Sequence, residues 1–153
     1  MDIFVKESYG VIWHFYHNRH GICFCKMKDD KISKYQVLIP DGQEDFDIII
    51  DDTDTLHLVC QNTDGDILYF NYHDSKWGKA TLLKSKNPTN YKKDFVIKRV
   101  GNWINIFYCI NYNGNKMLTH HILERMDETP TVVDCIGAGF SIAQDSLGNI
   151  YAL

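Results

Sequence analysis

The side chains best equipped for chemistry here are seven histidines, five cysteines, two aspartate-rich clusters and three tryptophans. Holding a metal needs His, Cys or carboxylate groups that converge on one point. His120 and His121 are neighbours, and neighbours on a strand face opposite ways, so they cannot grip one ion as a local pair. His14, His57 and His73 are scattered, and His57 falls at an ordinary repeat position. Cys23 and Cys25 share a strand face, but zinc needs two more ligands and no second Cys/His pair stands at knuckle spacing. These thiols read as core packing. Asp51-Asp52-Thr53-Asp54 and Asn62-Thr63-Asp64-Gly65-Asp66 offer alternating oxygen ligands, without the twelve-residue frame or closing Glu of a calcium loop. They fall where turns belong, and Asp and Gly belong in turns for backbone reasons. No metal or cofactor is expected.

Glycoside hydrolysis needs two positioned carboxylates. The chain has four glutamates (Glu7, Glu44, Glu124, Glu128) and three arginines (Arg19, Arg99, Arg125), and the arginines share no repeat position. No nucleophile elbow or phosphate loop is present. The expectation is that the chain is not an enzyme. Binding by stacking is the chemistry left. Trp13, Trp77, Trp103 and Tyr69 are the candidate ligand-binding residues, with Tyr72 and Tyr112 as further aromatic faces. For Trp13, on a second strand, and Trp77, opening a fourth, packing between sheets is the competing duty.

The elements that must position these rings are strands. Nine Tyr, eight Phe and only three Pro favour a pleated surface. Three X-Gly pairs, His20-Gly21, Asp64-Gly65 and Asn113-Gly114, lie 44 and 49 residues apart between apolar runs and mark tight hairpins. A second landmark, the start of an apolar strand at Val11, Leu56, Ile104 and Ile150, recurs at 45, 48 and 46 residues. The two series drift together, which defines a four-stranded unit of about 46 residues, inside the range of blade repeats. The expected fold is all-β: a partial β-propeller of three antiparallel blades (1–44, 45–91 and 92–137) and the start of a fourth (138–153), as one domain. Similar meanders stacked face to face favour a propeller over a sandwich.

The segment Leu56 to Gly78, LHLVCQNTDGDILYFNYHDSKWG, resembles blades of the sialidase-like and related β-propellers. It has an apolar strand carrying a His, an Asp-Gly hairpin, an aromatic third strand, and a Trp opening the fourth. Asp145 to Leu153, DSLGNIYAL, resembles the entry into another such blade. The resemblance implies an architecture. Thr63-Asp64-Gly65-Asp66 matches the family's Asp-box only in part, so no sialidase chemistry is carried over.

Three blades and a remnant would leave two apolar faces and a strand edge uncovered, which drives association. The expected partners are copies of the chain itself or the missing remainder of a longer propeller. The net charge of −4 gives no basic face for nucleic acid or an anionic membrane. No apolar run is long enough to span a bilayer, no leader is visible, and free thiols suit a reducing cytoplasm. The expected function is a non-catalytic binding or scaffold module, a fragment of a longer propeller that self-associates to complete the ring; the alternative is a lectin-like or glycoside-hydrolase-associated segment that binds carbohydrate.

Overall fold

Strand-forming sequence produces strands throughout: in the computed structural model, which describes residues 1–86, 91–123, 130–136 and 139–153, no described residue is helical. The strands are β1 (Asp2–Lys6), β2 (Ile12–Asn18), β3 (Gly21–Lys28), β4 (Lys31–Ile32), β5 (Gln36–Ile39), β6 (Gly42–Ile50), β7 (Leu56–Asn62) and β8 (Ile67–His73). They continue with β9 (Lys76–Leu83), β10 (Val96–Val100), β11 (Trp103–Tyr112), β12 (Asn115–Ile122), β13 (Thr131–Cys135), β14 (Ile142–Gln144) and β15 (Ile150–Ala152). They form four antiparallel sheets in which chain neighbours pair: β1 to β5, β6 to β9, β10 to β13, and the hairpin β14–β15. Among the described residues, no strand pairs outside its own sheet.

Two compact units divide the chain, Met1–Asn90 and Tyr91–Leu153. β6 begins at Gly42, which pairs with Asn62 ahead of a bulge running to Phe46. The fourth strand of the first sheet is split, because β4 and β5 both pair with β3. The first strand of the last segment is Ile142–Gln144.

In the first unit, alternate residues of two sheets build one core. Trp13, Phe15, Ile22, Phe24 and Ile39 meet Phe46, Ile48, Leu56, Leu58, Cys60, Leu68 and Phe70. A loop contact ties the same two sheets: the Ser8 N–H donates to Asp54 Oδ1 at 2.7 Å, and its hydroxyl donates to Oδ2. In the second unit, Ile97, Ile104, Ile106, Tyr108 and Leu118 are buried within the β10–β13 sheet.

Turn chemistry sets the registers. Asp29-Asp30, Asp74-Ser75 and Asn113-Gly114 each place two consecutive residues at positive φ. That is the mirror-image turn whose twist matches the flanking strands. Arg19 and His20, rather than His20 and Gly21, form the loop between β2 and β3, since Asn18 pairs with Gly21.

Four loops close in one way: in one, the Asn62 N–H donates to the Asp66 carbonyl at 3.1 Å with Gly65 at positive φ, and the other three open with an acid. The N–H of Glu7, Asp51 and Asp145 donates to the carbonyl four residues on, in Val11, Thr55 and Asn149, at 2.8 to 3.0 Å. The fourth loop residue, Gly10, Asp54 or Gly148, takes a positive φ and donates back to the acid's carbonyl. Asp51 Oδ1 accepts the N–H groups of Thr53 and Thr55, and Asp145 Oδ1 those of Leu147 and Asn149. The acid side chain also takes a donor from the residue six places on: Trp13 Nε1 to Glu7 at 2.7 Å, His57 Nε2 to Asp51 at 3.2 Å, and the Tyr151 hydroxyl to Asp145 at 3.0 Å. The third sheet departs from this. Val100 pairs directly with Trp103 across Gly101-Asn102, and Arg99 stands where the others have an acid.

Asp51 makes this closure measurable. Burial disfavours its charge, but hydrogen bonds from the Thr53 hydroxyl, the Thr55 N–H, His57 and the Thr53 N–H outweigh that and hold its pKa at about 2. A carboxyl depressed in the folded state stabilises the fold above its unfolded value, about 3.9, and that contribution disappears as pH falls towards 2. Asp51→Asn is expected to lose about 2 kcal/mol at neutral pH and to flatten the acid limb of stability between roughly pH 4 and 2. Urea midpoints across that range check it; an unchanged acid limb would refute it.

Candidate functional site

The structure separates the four candidate ligand-binding residues. Trp13 on β2 is fully buried. Its ring stands edge-on to Trp77 at 6.1 Å and to Tyr72 at 4.8 Å, and the Lys26 ammonium lies 3.9 Å from its centroid. Lys26 also donates to the Tyr72 hydroxyl at 3.2 Å. Trp77 on β9 is half-buried and packs on the same core. The stacking surface of this pair is therefore occupied by its own neighbours.

Tyr69 on β8 belongs to a different group. Its hydroxyl lies 2.6 Å from His57 Nδ1, and His57 Nε2 faces Asp51. With Asp51 ionised, Nε2 carries the proton it donates and Nδ1 accepts from the tyrosine. Burial, then the nearby Asp51 charge, pushes the Tyr69 hydroxyl up to about 12. Such a phenol is a donor and not a nucleophile at neutral pH.

Trp103 is the candidate that meets an open space. At the start of β11 it is 40% exposed and borders a groove of about 420 Å³. Phe107, His120, Ile122 and Val133 line the sheet side, and Gly148, Ile150 and Ala152 the hairpin side. Strand alternation explains the set: Trp103, Asn105 and Phe107 are two apart and share a face. Asn105 Oδ1 accepts from His120 Nε2 at 2.9 Å, and the Asn105 amide donates to the Trp103 carbonyl at 3.2 Å. His120 stacks flat on Phe107, with centroids 4.4 Å apart. Burial, then the neighbouring His121, lowers the His120 pKa. The neutral ring is thus favoured beside an apolar wall. The geometry suits an apolar or aromatic group oriented by one polar pair.

Sequence reasoning missed His120 and Asn105 as a pair. Their contact is diagonal across β11 and β12, and the signal was the alternation of Trp103, Asn105 and Phe107 itself. His120 and His121 do face opposite ways, with His121 buried among the residues of the other face. All five cysteines are unbridged; Cys135 alone is exposed. One side-chain oxygen caps the turn in each cluster: Asp51 Oδ1 accepts the N–H groups of Thr53 and Thr55, and the Asn62 amide oxygen those of Asp64 and Asp66. Arg125, Glu124 and Glu128 lie outside the described residues, as do residues 87–90 of the Lys84–Lys93 loop. Among the described residues, no helix is long and apolar enough to cross a membrane.

Comparison with protein-family models, with curated proteins and with solved structures finds no match for this chain.

Proposed function

We propose that this chain is a non-catalytic binding and scaffold module of β-propeller type, whose meanders act as blades and which associates with copies of itself. The observation that carries the architectural part is the acid at 7, 51 and 145, which opens the same kind of loop and accepts from a donor six residues on. These sites lie 44 and 94 residues apart, one and two repeats.

The binding role rests on surfaces. Val132, Val133, Leu147, Tyr151 and Leu153 are exposed in the second unit, more apolar surface in one short stretch than scattered single residues require. A two-stranded sheet such as β14–β15 is marginal in water without a further covering layer. Light scattering over a range of protein concentrations tests this: the weight-average mass is expected to climb above 17.8 kDa. A constant monomer mass would contradict self-association.

A second reading, carbohydrate binding, is favoured by Trp103 beside the Asn105–His120 pair. If it holds, a glycan found on an array quenches or shifts tryptophan fluorescence, and Trp103→Ala weakens its affinity by roughly tenfold through loss of stacking. Circular dichroism should be unaltered, because Trp103 stands outside the buried core. Equal affinity in the variant would remove the groove from consideration.

A further inference from the structure

Shared hairpin closures put residues of different sheets on a common scale. Trp13, His57, Asn105 and Tyr151 hold one position, and Phe15, Val59, Phe107 and Leu153 hold the position two further on. In the first three sheets these residues are no more than 8% exposed. In the hairpin, Tyr151 is 50% and Leu153 81% exposed. The opposite face of each sheet shows the converse. Phe4 pairs with His14 as Ile48 pairs with Leu58 and Ile97 with Ile106. Ile48 and Ile97 are buried, whereas Phe4 is 58% exposed. Phe4, His14 and Tyr16 form an aromatic row, exposed at Phe4 and half-buried at the other two, with Phe4 stacked on His14 at 4.3 Å, His14 followed by Tyr16 at 5.0 Å, and His14 Nε2 2.7 Å from Asp2.

Two faces thus lie open at positions that are covered elsewhere, and they are of opposite kinds. Within the first unit, the face carrying Trp13 and Phe15 packs against the face carrying Ile48, Leu58 and Cys60. Tyr151 and Leu153 belong to the first kind of face, and Phe4, His14 and Tyr16 to the second. Each chain therefore carries one copy of both halves of a joint it already makes internally.

We propose that the Tyr151–Leu153 face of one chain docks on the Phe4–His14–Tyr16 face of a second copy, a head-to-tail contact. This rests on the self-association proposed above and names its surfaces. The occupant is a second copy because the complementary face is present on the chain itself, in the packing mode that joins its first two sheets. A two-fold contact would set like faces together; a head-to-tail contact sets unlike ones together.

Single lysines on the exposed side chains test the joint. Phe4→Lys and Leu153→Lys are each expected to raise the dissociation constant of self-association by at least about tenfold. Tyr9→Lys, in the exposed loop after β1, should leave it unchanged, with circular dichroism confirming that all three fold. The deciding result is a mixture. Equal amounts of F4K and L153K retain one intact joint between them, so dimers with wild-type affinity should return, without larger species. The double variant should stay monomeric. If wild type associates but the mixture gives no dimers, or if F4K associates as wild type does, this contact is overturned while the self-association reading stands. If wild type is monomeric at every concentration, both fall.

Discussion

Replacing Trp13 with Ala is expected to lower unfolding stability by about 3–5 kcal/mol, the range for a large aromatic removed from a core. Trp13 is fully buried, and its ring touches Phe15, Phe24, Tyr72 and Trp77. It joins the first two sheets, so the vacated volume lies where neither sheet can close it alone. Two polar groups would also lose their arrangement. Glu7 would lose the indole N–H at 2.7 Å, and the Lys26 ammonium would lose the closer of its two aromatic faces. Trp13→Phe keeps part of the ring but not the N–H, and should recover roughly half of the loss. Urea denaturation of the three proteins measures this. A loss under about 1 kcal/mol for the alanine variant would mean that the two sheets do not share this core.

Gly21→Ala should be nearly as damaging for a different reason. Gly21 has φ +97°, and a Cβ there would stand 2.1 Å from the Ile39 carbonyl oxygen and 2.7 Å from that of Pro40. Both are backbone atoms, so no side-chain rotation relieves the overlap. The left-handed conformation alone costs an L-residue about 1–2 kcal/mol. Separating β3 from β5, where Ile22 pairs with Ile39, brings the expected total to at least about 3 kcal/mol. Gly114→Ala is the control: φ is +79° and a Cβ there meets nothing within 4 Å. Only the conformational part should remain, about 1 kcal/mol. Equal losses at the two sites would show that the close approach of Ile39 and Pro40 has no energetic weight.

Much of the strand pattern was legible because alternation and turn residues act locally. The run Leu56 to Gln61, expected as a strand, is β7 but for its last residue. Asp29-Asp30 and Asp74-Ser75 were not read as mirror-image turns, because neither holds a glycine. Aspartate enters the left-handed region easily enough to stand in. The split of the fourth strand into β4 and β5 was hidden as well. Ser33 breaks the run, its hydroxyl accepting from the Lys26 N–H and donating to the Lys34 carbonyl.

The acid-to-donor bond was invisible for a chemical reason. Trp13, His57 and Tyr151 share neither size nor charge, and only the ability to donate a hydrogen bond recurs. A search by residue identity passes over that. Of the candidate binding residues, Trp13 and Trp77 carried packing as a competing duty in the sequence, but nothing there showed that Trp103 borders open space. All three lie on strands, and exposure depends on which face the neighbouring sheet covers. The depressed Asp51 carboxyl was equally hidden, since it depends on Thr53 and Thr55 returning to the same oxygen.

The account stands on meanders that pair within themselves, the first two of which share one core face to face. Cross-strand backbone NOEs in the isotope-labelled full chain test it most directly. They are predicted between Phe15 and Phe24, Leu58 and Phe70, and Phe107 and His120, with ring contacts joining Trp13 to Tyr72. Backbone NOEs pairing β5 with β6, or β9 with β10, would contradict it, because the chain would then form continuous sheets and not stacked separate ones.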